Sequence, residues 1–434
     1  MKLAGWLSAA IEILEVIDNR HLPAKHALSD WGRSHRFAGS KDRAAIGNLV
    51  YDVLRCKASL AFLMQDENPR ALTLAAAVHQ WGECSESLTA LFQTDKFAPE
   101  PLSEQERQQL SQPIAEGLKT APLWVQANLP EWCEPKFKEQ FADQLIEEGR
   151  AMARRAPLDL RGNTLKTNKD KLAKALQRYA ATPTNLAPNA LRIAPSTGAK
   201  KAPNIEAEAA HGKGWFEVQD EGSQIACQLT GVQPGDQVLD LCAGAGGKTL
   251  ALSAMAENKG QIHAYDNDKQ RLRPIFERLK RAGCRNVQTH EAGNETALSA
   301  LEHSMDVVLV DAPCTGSGTW RRHPDAKWRL SEQALQQRKE EQAKVLSEAV
   351  KYLKPKGRLV YVTCSLLREE NERQISSLLE KTPSLSPLPF AKAWQHSGQG
   401  AELYAANGDE TYLTLSPARH ETDGFFIAIL QNRA

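Results

Sequence analysis

The sequence has no apolar run of the roughly 18 to 20 residues that a membrane-spanning helix needs. It also has almost no net charge, because 54 Lys and Arg stand against 53 Asp and Glu. A uniformly basic surface is thereby excluded, and any polyanionic partner has to be met by a local patch. The opening of the chain does not resemble a secretory signal, since Glu12 and Glu15 interrupt it. We expect a cytoplasmic protein that binds no membrane.

Paired cysteines are missing as well. The eight cysteines are scattered at long intervals, with no Cys-x-x-Cys pair and no histidine placed to complete a tetrahedral site. We therefore expect no metal. A free cysteine is most often a small buried hydrophobe, so a larger role for any of them has to come from its context.

Changes in composition and in the spacing of apolar residues divide the 434 residues into four parts. Residues 1–95 carry apolar side chains at three- and four-residue steps, which predicts a helical N-terminal domain. Residues 96–149, rich at first in Glu, Gln, Ser and Pro, are interpreted as a linker and helical connection. Residues 150–230 predict a small α+β domain whose basic face fits either a solvated surface or a phosphate contact.

Residues 231–434 alternate short apolar strands with helices, which predicts a mainly parallel sheet covered on both faces. The candidate strands are residues 237–241, 261–265, 287–290, 307–310, 358–362 and 424–430.

A glycine-rich turn follows the first of these strands. Small residues there let a ligand lie against the backbone at a helix N-terminus. Asp266 ends the second strand, about twenty residues later, where a carboxylate can accept both ribose hydroxyls. These features fit NAD and S-adenosylmethionine alike, whereas the spacing of a phosphate-binding P-loop is absent.

Two cysteines follow later strands of the same sheet. Cys314 comes after the fourth strand and Cys364 after the fifth. Because ligands bind at the carboxyl ends of parallel strands, we expect both thiols beside the cofactor cleft. A thiolate that adds to C6 of cytosine makes C5 nucleophilic, and a second thiol can assist release of the product. A nicotinamide dehydrogenase would leave both cysteine loops without a role.

These motifs together resemble the bacterial Fmu/Sun (RsmB-like) RNA 5-methylcytosine methyltransferases. The likeness extends from Arg155 to the C-terminus and rests on residues 240–243, 246–249, 311–314, 321–325, 327–328, 363–365 and 423–426. It implies a class I methyltransferase fold, which is α/β and Rossmann-like, preceded by a small α+β RNA-contacting domain and an all-α N-terminal unit.

The resemblance also implies a set of functional residues. Cys364 is the expected nucleophile and Cys314 the expected aid to release, with Asp311 and Lys248 as further catalytic residues. The implied cofactor is S-adenosylmethionine. Its implied site is Cys242, Ala243, Gly244, Ala245, Gly246, Gly247, Lys248, Asp266, Asn294 and Asp311. The chain departs from the family at Ala245, where proline is common, and at Asn294, where aspartate is common.

Basic and aromatic residues just beyond Cys314 predict contact with RNA, because cations grip phosphates and rings stack on bases. The residues expected there are Arg321, Arg322 and Trp328. By resemblance, Arg155, Arg161 and Lys166 belong to the RNA-contacting domain. The basic segment 269–285 fits a solvated face equally well.

We therefore expect a monomeric RNA cytosine-C5 methyltransferase. Ribosomal RNA is the favoured substrate, since residues 42–55 weakly resemble the NusB-like domain of family members that act on it. The alternatives are a cytosine-C5 methyltransferase acting on tRNA or DNA and a catalytically silent RNA-binding assembly factor.

Overall fold

A computed structural model of the protein describes residues 1–293, 298–396 and 402–433. They divide into two compact units. The first is Met1–Ala156 with Pro195–Pro203 and Thr319–Leu330, and the second is Pro157–Ala194, Asn204–Gly318 and Ser331–Ala434. Within the described ranges, no helix is long and apolar enough to cross a membrane. The same ranges hold no group of three or more His, Cys, Asp or Glu side chains that could bind a metal ion.

The first unit is helical. Its helices are Leu3–Arg20, Ala24–Ser34, Ser40–Arg55, Lys57–Met64, Pro69–His79, Ser85–Thr94, Glu104–Leu110, Ile114–Gly117, Leu123–Gln126, Glu134–Phe141, Leu145–Met152 and Pro324–Arg329. The helices predicted from the three- and four-residue spacing of apolar residues are present, and the apolar side chains Leu7, Ile13 and Leu14 of the first helix are buried. In residues 96–149, interpreted as a linker and helical connection, the chain forms short helices, and apolar side chains such as Leu102 and Leu110 are buried.

The second unit begins with a small antiparallel sheet. Its strands are β1 (Leu158–Gly162), β2 (Thr182–Pro183), β3 (Ala190–Ile193) and β4 (Phe216–Val218), in the order β2-β3-β1-β4. Its helices are Lys169–Ala175, Ala209–Gly212 and Glu221–Leu229. Leu160, Leu172, Leu191 and Phe216 form a separate apolar core for this sheet.

The large sheet follows. Its strands are β5 (Gln237–Asp240), β6 (Gln261–Asp266), β7 (Val287–Glu291), β8 (Met305–Asp311), β9 (Leu353–Thr363), β10 (Leu385–Pro387), β11 (Leu413–Leu415) and β12 (Phe425–Asn432). The order is β10-β12-β9-β8-β5-β6-β7, with β11 beside β12. Strands β9 to β7 pair in parallel, whereas β12 runs antiparallel to β9.

Helices cover this sheet. They are Gly247–Met255, Lys269–Leu272, Ile275–Ala282, Glu332–Tyr352, Glu372–Lys381, Phe390–His396 and Pro417–His420. The chain order reverses between β5 and β8, and a mainly parallel sheet with such a switch point opens a ligand crevice at its carboxyl edge. The predicted α/β architecture is confirmed, including the adjacency of β5, β8 and β9.

Two glycines let the loop after β8 approach the start of β12. The Gly318 amide donates to the Cys364 carbonyl at 2.9 Å, and the Gly424 amide donates to the Gly318 carbonyl at 2.8 Å. A Cβ on Gly424 would lie 2.7 Å from the Gly318 Cα. Real Cβ atoms do not approach backbone so closely, so the backbone would have to move.

We expect Gly424→Ala to lower the free energy of unfolding by about 1 to 3 kcal/mol, the usual cost of overpacking. Urea denaturation measures this. The control is Gly212→Ala, because a Cβ there meets no atom within 4 Å. Equal destabilisation by the two substitutions would contradict the close approach.

Candidate active site

The glycine-rich turn between β5 and helix Gly247–Met255 is shaped by two residues with positive φ. Gly244 has φ 51° and Gly246 has φ 82°. A Cβ on Gly246 would lie 2.4 Å from the Ile275 side chain, so this position combines a left-handed backbone with close packing. The turn therefore presents backbone to the carboxyl edge of the sheet, as the sequence predicted.

Asp266, at the end of β6, holds this turn from the side. One of its carboxylate oxygens accepts the Gly244 amide at 2.8 Å, and the other accepts the Asp268 amide at 2.9 Å. The side chain is 1% exposed. A buried carboxylate with free lone pairs on both oxygens can still accept hydroxyl donors from a ligand in the cleft.

A cleft of about 780 Å³ opens between the ends of β5 and β6 on one side and helix Glu332–Tyr352 on the other, and residues 243–248 of the glycine turn do not line it. Apolar side chains such as Leu241 and Val345 line it beside charged ones such as Asp266 and Arg271. Its size and its mixture of apolar walls with a few polar groups suit a nucleoside-containing cofactor. Cys242 and Asp266, both predicted to bind cofactor, lie in this lining, while Asn294 lies outside the described residues.

Asp240 lies under the turn and accepts the Thr249 hydroxyl at 2.7 Å. Burial raises the pKa of Asp240 to about 7, and the Asp311 carboxylate adds to the shift while Thr249 opposes it. Asp240 is thus a buried support of the turn, 1% exposed.

The two thiols predicted to share an edge of the sheet are in contact. The Cys314 and Cys364 sulfur atoms are 3.4 Å apart. The hydrogen bond to Cys364 and burial together raise the pKa of Cys314 well above its usual value. Cys314 therefore remains protonated and can donate its S–H towards the Cys364 sulfur.

Lys248, at the start of helix Gly247–Met255, forms an ion pair with Asp311, the last residue of β8. The nitrogen-to-oxygen distance is 2.5 Å. Burial lowers the pKa of Lys248, but the Asp311 carboxylate outweighs it, so the net shift is upward. The Lys248 ammonium also lies 5.7 Å from the centre of the Phe425 ring. A charged lysine is therefore fixed next to the carboxylate, whose side chain is 36% exposed.

Glu370 is a buried carboxylate that the sequence did not reveal. It is 0% exposed and accepts hydrogen bonds from Thr315 and Ser365, the residues that follow the two cysteines. Its surrounding sequence, residues 368–372, carries one arginine and three glutamates, which is the composition of a solvated segment. No local signal distinguishes this glutamate from its neighbours.

The residues predicted to contact RNA are found in different settings. Arg155 of the first unit binds the Asp52 carboxylate and the carbonyls of Ser196 and Gly198. In the second unit, Arg161 donates to the Gly247 carbonyl at 2.8 Å, and the exposed Lys166 donates to the Arg281 carbonyl at 2.6 Å. Of these, Lys166 keeps its charge at the surface.

The segment Thr319–Leu330 belongs to the helical unit, and five of its twelve residues are buried. Arg321 is 4% exposed. Its backbone carbonyl accepts a hydrogen bond from the Arg55 guanidinium at 2.9 Å. The Trp328 indole donates to the Leu54 carbonyl at 2.6 Å. Arg321 and Trp328 thus pack within the helical unit, the first buried and the second half-buried, and their contact with RNA stays a prediction. Arg322 is more exposed, and its RNA contact stays a prediction.

Lys327, in the same segment, is 2% exposed and donates to the carbonyls of Arg55 at 2.9 Å and Asn128 at 2.6 Å. Burial lowers the pKa of Lys327 to about 7. Two acceptors match the two N–H groups of a neutral amine, so the site tolerates the uncharged form.

The strand order, with its switch point between β5 and β8, is that of a class I, Rossmann-like methyltransferase fold. Residues 227–431 match the family described as 16S rRNA methyltransferase RsmB/F. Residues 129–198 match the ferredoxin-like domain of RsmF/B-like methyltransferases. The chain belongs to the RsmB/F methyltransferase family.

Three relatives illustrate the likeness. The "probable ribosomal RNA small subunit methyltransferase B" of Synechocystis sp. is 32% identical over 313 residues, which cover 71% of this chain and 68% of that protein. The crystal structure of PH0851 is 25% identical, with a TM-score of 0.72, and covers 100% of this chain and 99% of that one. A methyltransferase homolog from Pyrococcus horikoshii is 27% identical, with a TM-score of 0.57, and covers 71% and 97%.

We expect Asp266→Ala to weaken cofactor binding at least tenfold. Each hydrogen bond to a charged group is worth about 1.5 to 3 kcal/mol, and about 1.4 kcal/mol corresponds to one decade of affinity. Calorimetric titration with S-adenosylhomocysteine measures this. The control is Glu380→Ala, an exposed carboxylate in helix Glu372–Lys381. Unchanged affinity in a folded Asp266→Ala protein would remove Asp266 from the cofactor site.

We also expect Lys327 to make stability depend on pH. Its pKa is about 7 when folded and its usual value is 10.5. Between these values the unfolded chain binds the extra proton, so the free energy of unfolding rises with pH, by about 1 kcal/mol per unit. Lys327→Met should remove this slope, whereas Lys25→Met, at an exposed lysine, should keep it. Denaturant titrations between pH 7 and 10 that show parallel curves for wild type and Lys327→Met would contradict the neutral buried amine.

Proposed function

We propose that this protein is an S-adenosylmethionine-dependent RNA cytosine-C5 methyltransferase that acts on ribosomal RNA. The observation that carries the proposal is the pair of thiols 3.4 Å apart. They follow the adjacent strands β8 and β9, the same edge of the sheet that carries the cofactor cleft. A methyltransferase acting on an oxygen or a nitrogen needs no such pair.

S-Adenosylmethionine supplies the methyl group when it is bound in the cleft. Cytosine C5 is a poor nucleophile until the Cys364 thiolate adds to C6, which forms a C6–S bond and leaves an electron-rich C5. After methylation, the C5 proton passes to a base in solvent and the C6–S bond breaks. The electron pair of that bond returns to Cys364 as a thiolate, and the C5–C6 double bond is restored.

Cys314 suits the release step. Its raised pKa keeps the thiol protonated, so its S–H can hydrogen-bond to the Cys364 sulfur as negative charge returns to it. The raised pKa of Cys314 therefore favours this thiol as the hydrogen-bond donor in the release step. Cys364 attacks, and Cys314 stabilises the leaving thiolate.

Lys248 and Asp311 supply fixed charge beside the thiols. The Lys248 ammonium favours a nearby thiolate over a thiol, as cationic neighbours generally do. The Asp311 side chain is 36% exposed, so its carboxylate can accept a hydrogen bond from the exocyclic amine or a protonated N3 of cytosine. In this ion pair, Lys248 therefore favours the Cys364 thiolate, and Asp311 binds the cytosine ring.

Ribosomal RNA is the substrate that the relatives favour. The Synechocystis relative is named for the small ribosomal subunit RNA. The match covers about two thirds of that protein and includes the catalytic part of this chain. Small-subunit rRNA is therefore the first substrate to test, before tRNA and DNA.

The two cysteines should fail in opposite ways when replaced. Cys364→Ala should give neither methylated RNA nor a covalent adduct, because no C6–S bond can form. Cys314→Ala should still attack and methylate but release poorly, leaving a protein–RNA adduct that survives denaturing electrophoresis. Each variant is incubated with small-subunit rRNA and S-adenosylmethionine and analysed on one gel.

The matched control is Cys84→Ala, which removes an exposed thiol of the helical unit. It should methylate like the wild type without accumulating adduct. Adduct from Cys364→Ala but not from Cys314→Ala would reverse the two roles, as in enzymes of the DNA type. Absence of methyl transfer to rRNA, tRNA and DNA by the wild type would favour a silent assembly factor.

A further inference from the structure

The loops that carry the two thiols leave the sheet and need partners of their own. Beyond Asp311 and Thr363 the chain no longer continues the β8–β9 ladder. Backbone amides in such loops must find other acceptors. The residues that provide them decide where the two sulfur atoms lie.

One carboxylate contacts both loops. Glu370 accepts the Thr315 amide at 2.8 Å and also the Thr315 hydroxyl, both next to Cys314. Its second oxygen also accepts the Ser365 hydroxyl, next to Cys364. Burial raises the pKa of Glu370, and the hydrogen bonds that its carboxylate accepts oppose that shift.

A glutamine extends the same network to the long helix. Gln342 donates through its side-chain nitrogen to Glu370 at 2.9 Å and to the Pro313 carbonyl at 2.9 Å. Both Gln342 and Glu370 are 0% exposed. Cys314 is therefore bracketed, with its preceding carbonyl held by Gln342 and its following amide held by Glu370.

The Cys364 loop has additional anchors. Asn371 accepts the Thr363 hydroxyl at 2.6 Å and donates to the Ser365 carbonyl at 2.9 Å. The Cys364 carbonyl itself accepts the Gly318 amide at 2.9 Å. Loss of Glu370 should therefore loosen the Cys314 loop more than the Cys364 loop.

We infer that Glu370 is a positioning residue that holds the Cys314 thiol against the Cys364 sulfur. It touches neither sulfur, so it acts through Thr315 and Ser365. The inference rests on the proposed division of labour for its effect on turnover. Loss of the hydrogen bonds that Glu370 accepts should move Cys314 away from the Cys364 sulfur and leave Cys364 in place. A Glu370 variant should therefore show a weaker form of the Cys314→Ala defect.

The distance between the thiols can be tested without methyl transfer. Phenylarsine oxide binds two neighbouring thiols through its arsenic and loses its oxygen as water. Wild type should bind it tightly, and Cys314→Ala defines the background. Glu370→Gln should bind it about tenfold more weakly, the effect of losing roughly one charged hydrogen bond. Thr315→Val, which removes one hydroxyl donor, should shift binding in the same direction.

The matched control is Glu369→Gln, at the neighbouring carboxylate, which pairs with Arg373 at 3.9 Å. It should keep wild-type arsenical affinity. Wild-type affinity in both Glu370→Gln and Thr315→Val would overturn the inference, and thermal unfolding identifies a variant that does not fold. If Glu370→Gln fails to fold, Thr315→Val decides the matter alone.

Catalytic assays add a readout that a purely structural role would not give. In Glu370→Gln, kcat should fall about tenfold with little change in the KM for S-adenosylmethionine, and denaturation-resistant RNA adduct should accumulate. A fall in kcat without adduct would contradict positioning of Cys314. If the wild type itself transfers no methyl group, the proposed function fails, while the arsenical measurement still tests Glu370.

Discussion

The register between β8 and β9 is the constraint on which the rest of the site depends. Asp311 lies opposite Val362, so the residues that follow each strand leave the sheet side by side. Both strands are fully buried around this point, with Leu309 and Val360 at 0% exposure. A slip of one residue would exchange the side chains that pack on the two buried faces, Val360 and Val362 on one and Leu359 and Tyr361 on the other, so close packing on both faces fixes the register. The same core thereby fixes the proximity of Cys314 and Cys364.

The site then concentrates charge at an edge of the sheet where most of the charged side chains are buried. Lys248 pairs with Asp311, Asp266 accepts two backbone amides, and Glu370 accepts donors from two loops. A buried charge is costly unless it is paired or hydrogen-bonded, and each of these groups is. Fixed charges in such a setting act more strongly on a reacting group than they would in water. The arrangement therefore links the stability of the site to its chemistry.

The sequence predicted what local patterns determine. Short apolar runs predicted strands β5 to β9 and β12 to within about five residues, whereas β10 and β11 were not predicted. The fourth and fifth predicted strands then brought the two cysteines together. The sequence did not predict that Glu370 is buried, because three of the five residues 368–372 are glutamates and such a composition is typical of a solvated surface. For residues 319–330, a basic and aromatic composition predicted contact with RNA and did not reveal that Trp320 and Lys327 pack inside the helical unit. Both cases depend on tertiary partners that lie far away in the chain.

A buried carboxylate at Glu370 does something that apolar packing cannot. The Thr315 amide points out of the ladder and would be left unsatisfied by a hydrophobic neighbour, at a cost of about 1 to 3 kcal/mol. Apolar contact is also non-directional, so it leaves the orientation of a loop free. A carboxylate satisfies the amide and sets the direction of approach at the same time. Glu370 thus satisfies the buried backbone of the cysteine loops and also orients these loops.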